Sequence, residues 1–221
     1  MNLIIINHKK MSYLFNNING DGFYFIYDST KIPIESLKSH ILENDPDKII
    51  SLDFAVPLTR SLNNNTIVIA KEIVLLNSHP ISWAVPRSDR WIETSKHLNK
   101  SISNLLEKNL VEHSVVSGMI LEHTKPIKNK DYAKEWLFNN VQGSFVDNSA
   151  WEISKLCEEL SKEFSIIRII NNKTPLFEQN KPKKMITKMK NYINNGLFYN
   201  FVDKNILKSH NNQLIKTILE I

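Results

Sequence analysis

Ile67-Val68-Ile69-Ala70-Lys71-Glu72-Ile73-Val74-Leu75-Leu76 is the stretch on which the fold turns. Its β-branched residues suit a pleated surface. Asn63-Asn64-Asn65 before it and Asn77-Ser78-His79-Pro80 after it are turn formers. Ile81–Val85 follows closely enough to return as an antiparallel partner, which predicts a hairpin. Two charges, Lys71 and Glu72, sit inside the first strand. Neighbours on a strand face opposite sides, so one of them faces the core or a cavity. A charge there is costly unless it is paired or bound to a ligand.

Working outward, Leu3–Ile6 and Phe23–Tyr27 are short apolar strings separated by the turn signal Gly20-Asp21-Gly22. Ile34, Leu37, Ile41 and Leu42 have helical spacing after Asp28-Ser29-Thr30, and Asp45-Pro46-Asp47 ends that helix. Ile49–Phe54 is a strand. Leu98, Ile102, Leu105, Leu106 and Leu110 mark an amphipathic helix. Val111–Leu121 is a strand, and Tyr132–Phe138 and Trp151–Phe164 are helices on either side of Gln142-Gly143-Ser144. Ile166-Ile167-Arg168-Ile169-Ile170 is a strand, with Leu176-Phe177 opening its return. Hairpins interspersed with helices predict an α+β fold on an antiparallel sheet. No Gly-x-Gly-x-x-Gly or phosphate loop is present among only five glycines, which argues against a doubly wound parallel sheet.

The chain has 221 residues, 42% of them hydrophobic and 23% charged, the proportions of an ordinary globular protein. One cysteine, Cys157, forms no internal disulfide, and its helical register with Ile153 and Leu160 predicts a buried structural thiol. The seven histidines show no His-x-x-x-His spacing, so no metal site is expected. No Gly-x-Ser-x-Gly elbow marks a nucleophile. The apolar start precedes its lysines rather than following them, unlike a secretory signal, and no run approaches membrane-spanning length. A cytoplasmic location is the default expectation.

The net charge of +5 is unevenly spread. Residues 181–221 hold eight lysines against two acids, which leaves the rest of the chain close to neutral. Aromatic residues Tyr192, Phe198, Tyr199 and Phe201 interleave with these lysines at a spacing that reads as packing. A polyanionic partner, if the chain has one, is expected at 183–221.

Several pieces, in order, resemble the chorismate pyruvate-lyase family. They are Tyr27-Asp28-Ser29-Thr30 before a helix; Ile69–Leu76, similar to a Leu-Arg-Glu-Ile-Leu-Leu strand; and Asn77–Ala84, similar to its Gly-x-Pro turn and returning strand. Leu98–Leu106 resembles a glycine- and proline-containing helix, and Arg168–Pro182 the family's last hairpin, with Glu178 and Pro182 in its Glu-x-x-x-Pro spacing. The resemblance covers roughly residues 23–121 and 164–182. It implies an antiparallel sheet with flanking helices and an internal ligand cavity over 1–182. It also implies a helical insertion at 122–163 and a basic helical extension at 183–221.

The implied activity is cofactor-free elimination of pyruvate from chorismate, or a related aromatic-acid precursor, to give 4-hydroxybenzoate. Lys71 takes the place of the family's arginine as carboxylate anchor, a point charge in place of a bidentate fork. Glu178 is its catalytic partner, and Ser29 and Thr30 join both in substrate binding. The alternative is a non-catalytic protein on the same fold that binds a small anionic aromatic acid or a partner. An unrelated α+β protein is a third reading.

Overall fold

The computed structural model describes residues 1–8, 11–12, 15, 24–29, 31–59, 61–62, 66–76, 90–123, 137–147, 149–170 and 212–221. Its strands are β1 (Asn2–Ile6), β2 (Tyr24–Asp28), β3 (Lys48–Pro57), β4 (Thr66–Leu76), β5 (Trp91–Glu93), β6 (Ser114–His123), β7 (Phe145–Asp147) and β8 (Glu163–Ile170). Its helices are α1 (Leu37–Asn44), α2 (Lys96–Asn109), α3 (Ala150–Glu159) and α4 (Asn212–Leu219).

All these strands belong to one mixed sheet. β1 lies between β2 and β3, parallel to both. β3 runs parallel to β8, and β8 antiparallel to β4. β4 runs parallel to β6 and β6 to β7, and the end of β7 returns antiparallel to β3 through Val56↔Val146. Following β3, β8, β4, β6 and β7 back to β3 closes a five-stranded barrel. β1 and β2 extend it on one side, and β5 flanks β4 through Ile73↔Ile92.

The expected antiparallel, chorismate lyase-like sheet is therefore wrong. Its physical clue was in the strands themselves. Leu3–Ile6, Lys48–Pro57 and Glu163–Ile170 are nearly continuous apolar runs, buried on both faces. Such runs belong to sheets covered by helices on each side. On one face, Leu98, Ile102 and Leu106 of α2 and Leu214, Ile215 and Ile218 of α4 meet Ile50, Leu52, Ile67, Ile69, Ile167 and Ile169. On the other, Leu37 and Ile41 of α1 and Trp151, Ile153 and Cys157 of α3 meet Leu3, Ile49, Val68, Ile166 and Ile170.

Within 122–163, among the described residues, β7 closes the barrel and α3 covers its sheet. Within 183–221, the described helix α4 is docked on α2 and its apolar face is in the core. Ile81–Val85, Leu176-Phe177, most of Tyr132–Phe138 and residues 183–211 lie outside the described residues, and so does most of the expected polyanion-binding stretch. No helix among the described residues is long and apolar enough to cross a membrane.

Local chemistry fixes the helix ends next to the sheet. Ser95 caps α2 by accepting from Leu98 N at 3.1 Å, and its hydroxyl donates to Glu163 on β8 at 2.5 Å. Asp45 ends α1 in the left-handed region at φ 41°, a conformation that short polar side chains tolerate. Gly143 precedes β7 where Leu121 crowds it: a Cβ at that position would overlap Leu121 Cγ and Cδ1. Gly143→Ala is expected to lower unfolding free energy by about 1–3 kcal/mol, the usual cost of overpacking. Adding Leu121→Val should recover part of it, and urea unfolding of both variants tests this.

Candidate functional site

Arg168 lies in the middle of an apolar strand and is fully buried. β3 runs beside it in parallel register with Asp53↔Arg168, so the two side chains share one face of the sheet. The guanidinium is surrounded by acceptors. Nε donates to Asp147 Oδ2 at 2.7 Å. Nη1 donates to Ser51 O at 3.0 Å, Ser51 Oγ at 3.1 Å and Ile167 O at 2.9 Å. Nη2 donates to Ser149 Oγ at 3.3 Å. Ser149 Oγ in turn donates to Asp147 Oδ1 at 3.2 Å and Asp53 Oδ2 at 3.4 Å. β3, β7, β8 and the residue before α3 are thereby joined through one cation.

Glu122, at the end of β6, adds a third buried carboxyl. Its register partner is Asp147, and one of its oxygens accepts from the backbone N–H of Trp151 in the first turn of α3. A side chain from another element thus supplies an acceptor that the open end of that helix lacks.

Three carboxyls against one guanidinium cannot all be ionised cheaply in a dry interior. Loss of hydration pushes Asp53 up to about 7, with Arg168 opposing and Asp147 adding to the rise. Desolvation likewise takes Glu122 to about 8, assisted by the Asp147 charge and opposed by the Trp151 N–H and Arg168. The cluster thus sets two carboxyls of raised pKa beside a buried Arg168–Asp147 ion pair.

A second polar group stands where β1 and β2 end together. Ser12 donates to Asp28, and Lys31 Nζ lies 2.9 Å from Asp28 Oδ2. Ser29 Oγ donates to Asn7 Oδ1 at 2.6 Å and to Ile6 O at 3.1 Å. His8 is buried edge-on against Phe54 of β3, ring centroids 5.0 Å apart. In open sheets of parallel strands, ligands gather outside the carboxyl ends, and β1, β2, β3 and β8 all run the same way here.

The residues singled out in the sequence are dispersed. Ser29 belongs to the strand-end group. Lys71 is exposed rather than buried and lines an open cleft beside α2. Thr30 and Glu178 lie outside the described residues. Among the described residues no three His, Cys, Asp or Glu side chains are grouped to hold a metal ion. Cys157 is buried, and desolvation raises its thiol to about 12. Arg168 and Asp53 carry the same signal as Lys71, and more strongly: each is an ionisable side chain within an unbroken apolar strand.

The same chain trace occurs in solved structures. The futalosine hydrolase of Helicobacter pylori strain 26695 superposes with a TM-score of 0.69 at 18% identity, covering 100% of this chain and 97% of its own. A Helicobacter pylori 5′-methylthioadenosine/S-adenosylhomocysteine nucleosidase, solved with butyl-thio-DADMe-Immucillin-A, gives 0.69 at 17% identity, covering 100% and 98%. The corresponding nucleosidase from Neisseria meningitidis, solved with methylthio-immucillin-A, gives 0.69 at 15%, covering 100% and 99%. The fold is the nucleosidase fold. No known family description matches the sequence, and no curated protein does.

The resemblance to chorismate pyruvate-lyases is overturned by this match over the full length of the chain. With it go chorismate elimination, the 4-hydroxybenzoate and pyruvate products, and the aromatic-acid-binding alternative on that fold.

Two outcomes are expected from the buried cluster. Arg168→Ala strands Asp147 without its cation and should cost about 3–5 kcal/mol of stability, measured by denaturant unfolding. The raised carboxyls also set a pH dependence. From about pH 4 up to about 7–8 the folded chain keeps protons that the unfolded chain releases, so stability falls as pH rises. The slope is up to about 1.4 kcal/mol per pH unit for each group. Glu122→Gln keeps the acceptor for Trp151 and should flatten the decline between pH 5 and 8; equal slopes in the two proteins would remove Glu122 as its source.

Proposed function

We propose that this chain binds a nucleoside at the carboxyl ends of β1, β2, β3 and β8 and hydrolyses its N-glycosidic bond. The observation that carries the reading is the end-to-end match to nucleosidases, in a chain whose Asp53 and Glu122 carboxyls are raised in pKa by burial. In this reaction the bond between the anomeric carbon and the base nitrogen breaks, and its electron pair leaves with the base. A proton delivered to the base stabilises that charge. Water oxygen bonds to the anomeric carbon, and its surplus proton returns to a carboxylate. Asp53 and Glu122 are the proton donors in this scheme. Ser12, Asp28, Ser29 and Lys31 supply hydroxyl, carboxylate and ammonium groups suited to ribose hydroxyls.

One observation favours a second reading. Asp53, Glu122 and Asp147 are all buried and bonded to protein groups. In this version they only hold the barrel against α3, and the nucleoside is bound without being cleaved.

The test is incubation of the full chain with 5′-methylthioadenosine, S-adenosylhomocysteine, adenosine and futalosine, with chromatographic detection of free base and calorimetric detection of binding. Base release that drops at least roughly 100-fold in Glu122→Gln or Asp53→Asn supports hydrolysis with these donors. Binding without release selects the second reading. Neither binding nor release with any of the four overturns the proposal.

A further inference from the structure

Lys71 does face a cavity, and that cavity is separate from the carboxyl cluster and from the strand ends. An open cleft of about 510 Å³ lies between β4, β5, β6 and α2. The described residues lining it are all polar, among them Lys71, Glu72, Lys96, Lys100, Asn104 and Ser117. Its volume falls within the usual range for a small-molecule site, roughly 300–1,000 Å³.

The cleft is shaped by a local irregularity. The β4–β6 register slips between Ala70 and Glu72, leaving Lys71 as an extra residue in the ladder. Bulges of this kind redirect a side chain. The backbone there is held firmly, since Lys71 O accepts from Thr94 N at 3.0 Å and from Thr94 Oγ1 at 3.1 Å. Lys96 and Lys100 are one helical turn apart and so share a face of α2. Lys71, Lys96 and Lys100 all line this one cleft. Lys96 reaches Glu93 at 3.5 Å in an exposed pair, an interaction of little strength. Among the described residues neither Lys71 nor Lys100 has a carboxylate within ion-pair distance. Such a gathering of cations is unfavourable by itself and is relieved by an anion. Glu72 and Glu93, opposite each other in the β4–β5 register, place acceptors on the adjacent wall.

We propose that this cleft binds a small sugar phosphate. Lys71, Lys96 and Lys100 hold the phosphate as point charges. Glu72, Glu93, Asn104 and Ser117 hydrogen-bond the sugar hydroxyls. The proposal is independent of the nucleosidase reading, because neither the ligand nor the residues are shared with it.

The test is calorimetric titration and thermal unfolding of the full chain with ribose 5-phosphate, inorganic phosphate and ribose. Ribose 5-phosphate should raise the melting temperature with increasing concentration, inorganic phosphate should do so more weakly, and ribose should have no effect. Binding of ribose 5-phosphate should weaken at least roughly tenfold in K71E/K100E. Both side chains are exposed, so the variant should fold, and its ligand-free melt checks this. Glu72→Gln should weaken ribose 5-phosphate while leaving inorganic phosphate unchanged. Absence of ribose 5-phosphate binding, or equal binding by wild type and K71E/K100E, overturns the site. Equal affinity for inorganic phosphate and ribose 5-phosphate overturns its sugar half.

Discussion

A fully buried guanidinium is the constraint around which this molecule is arranged. Arg168 has left water, so its donors must find acceptors inside the protein, and they find them on Ser51, Asp147, Ser149 and the Ile167 carbonyl. Those acceptors come from β3, from β7, from the entry to α3 and from β8 itself. Desolvating a cation is compensated only when such partners are held in place. The position of β7 between β6 and β3, and the docking of α3 on the sheet, are thus fixed by polar demand as well as by apolar packing. Asp53 and Glu122 follow from the same constraint: one guanidinium cannot neutralise three carboxyls, and burial pushes these two up in pKa.

Around that centre the apolar layers divide cleanly. Alternate residues of β8 serve opposite faces, Ile167 and Ile169 against α2 and α4, Ile166 and Ile170 against α1 and α3. Arg168 has the parity of the second set, which places the ion pair on the α3 side. A third apolar group, including Val56, Val74, Leu121 and Val146, closes the barrel where β3 meets β7. The two helical layers leave polar chemistry at the carboxyl ends of β1 and β2 and in the cleft beside the Lys71 bulge. The nucleoside reading draws on the first of these places and the sugar-phosphate inference on the second.

Much of the secondary structure was legible. The strands at Leu3–Ile6, Ile49–Phe54, Ile67–Leu76 and Ile166–Ile170 and the helix at Leu98–Leu110 lie where their apolar spacing puts them. Asp45 ending α1 and the buried Cys157 are equally local features. The helix expected over Trp151–Phe164 ends at Glu159. Its continuation to Phe164 contains a turn at Ser161 in the left-handed region and the start of β8, because an apolar Phe164 extends a helical pattern as readily as it opens a strand.

Strand direction was a different matter. A string such as Ile-Ile-Arg-Ile-Ile is the same string whether its neighbour runs with it or against it, so the sequence predicted segments and not the sheet they build. The unbroken apolar runs did carry information, that both faces are covered, and an antiparallel sheet exposed on one side does not explain them. The sequence by itself determined most of the longer elements and the presence of charges within strands. Only the tertiary structure decided what those charges do. A bulge turned Lys71 outward to a cleft, and the parallel register of β3 with β8 brought Asp53 to Arg168. Glu122 and Asp147 met because β6 and β7 pair across a sequence gap. Burial has no value until the partners are in place, and that is why the site could not be read from residue spacing.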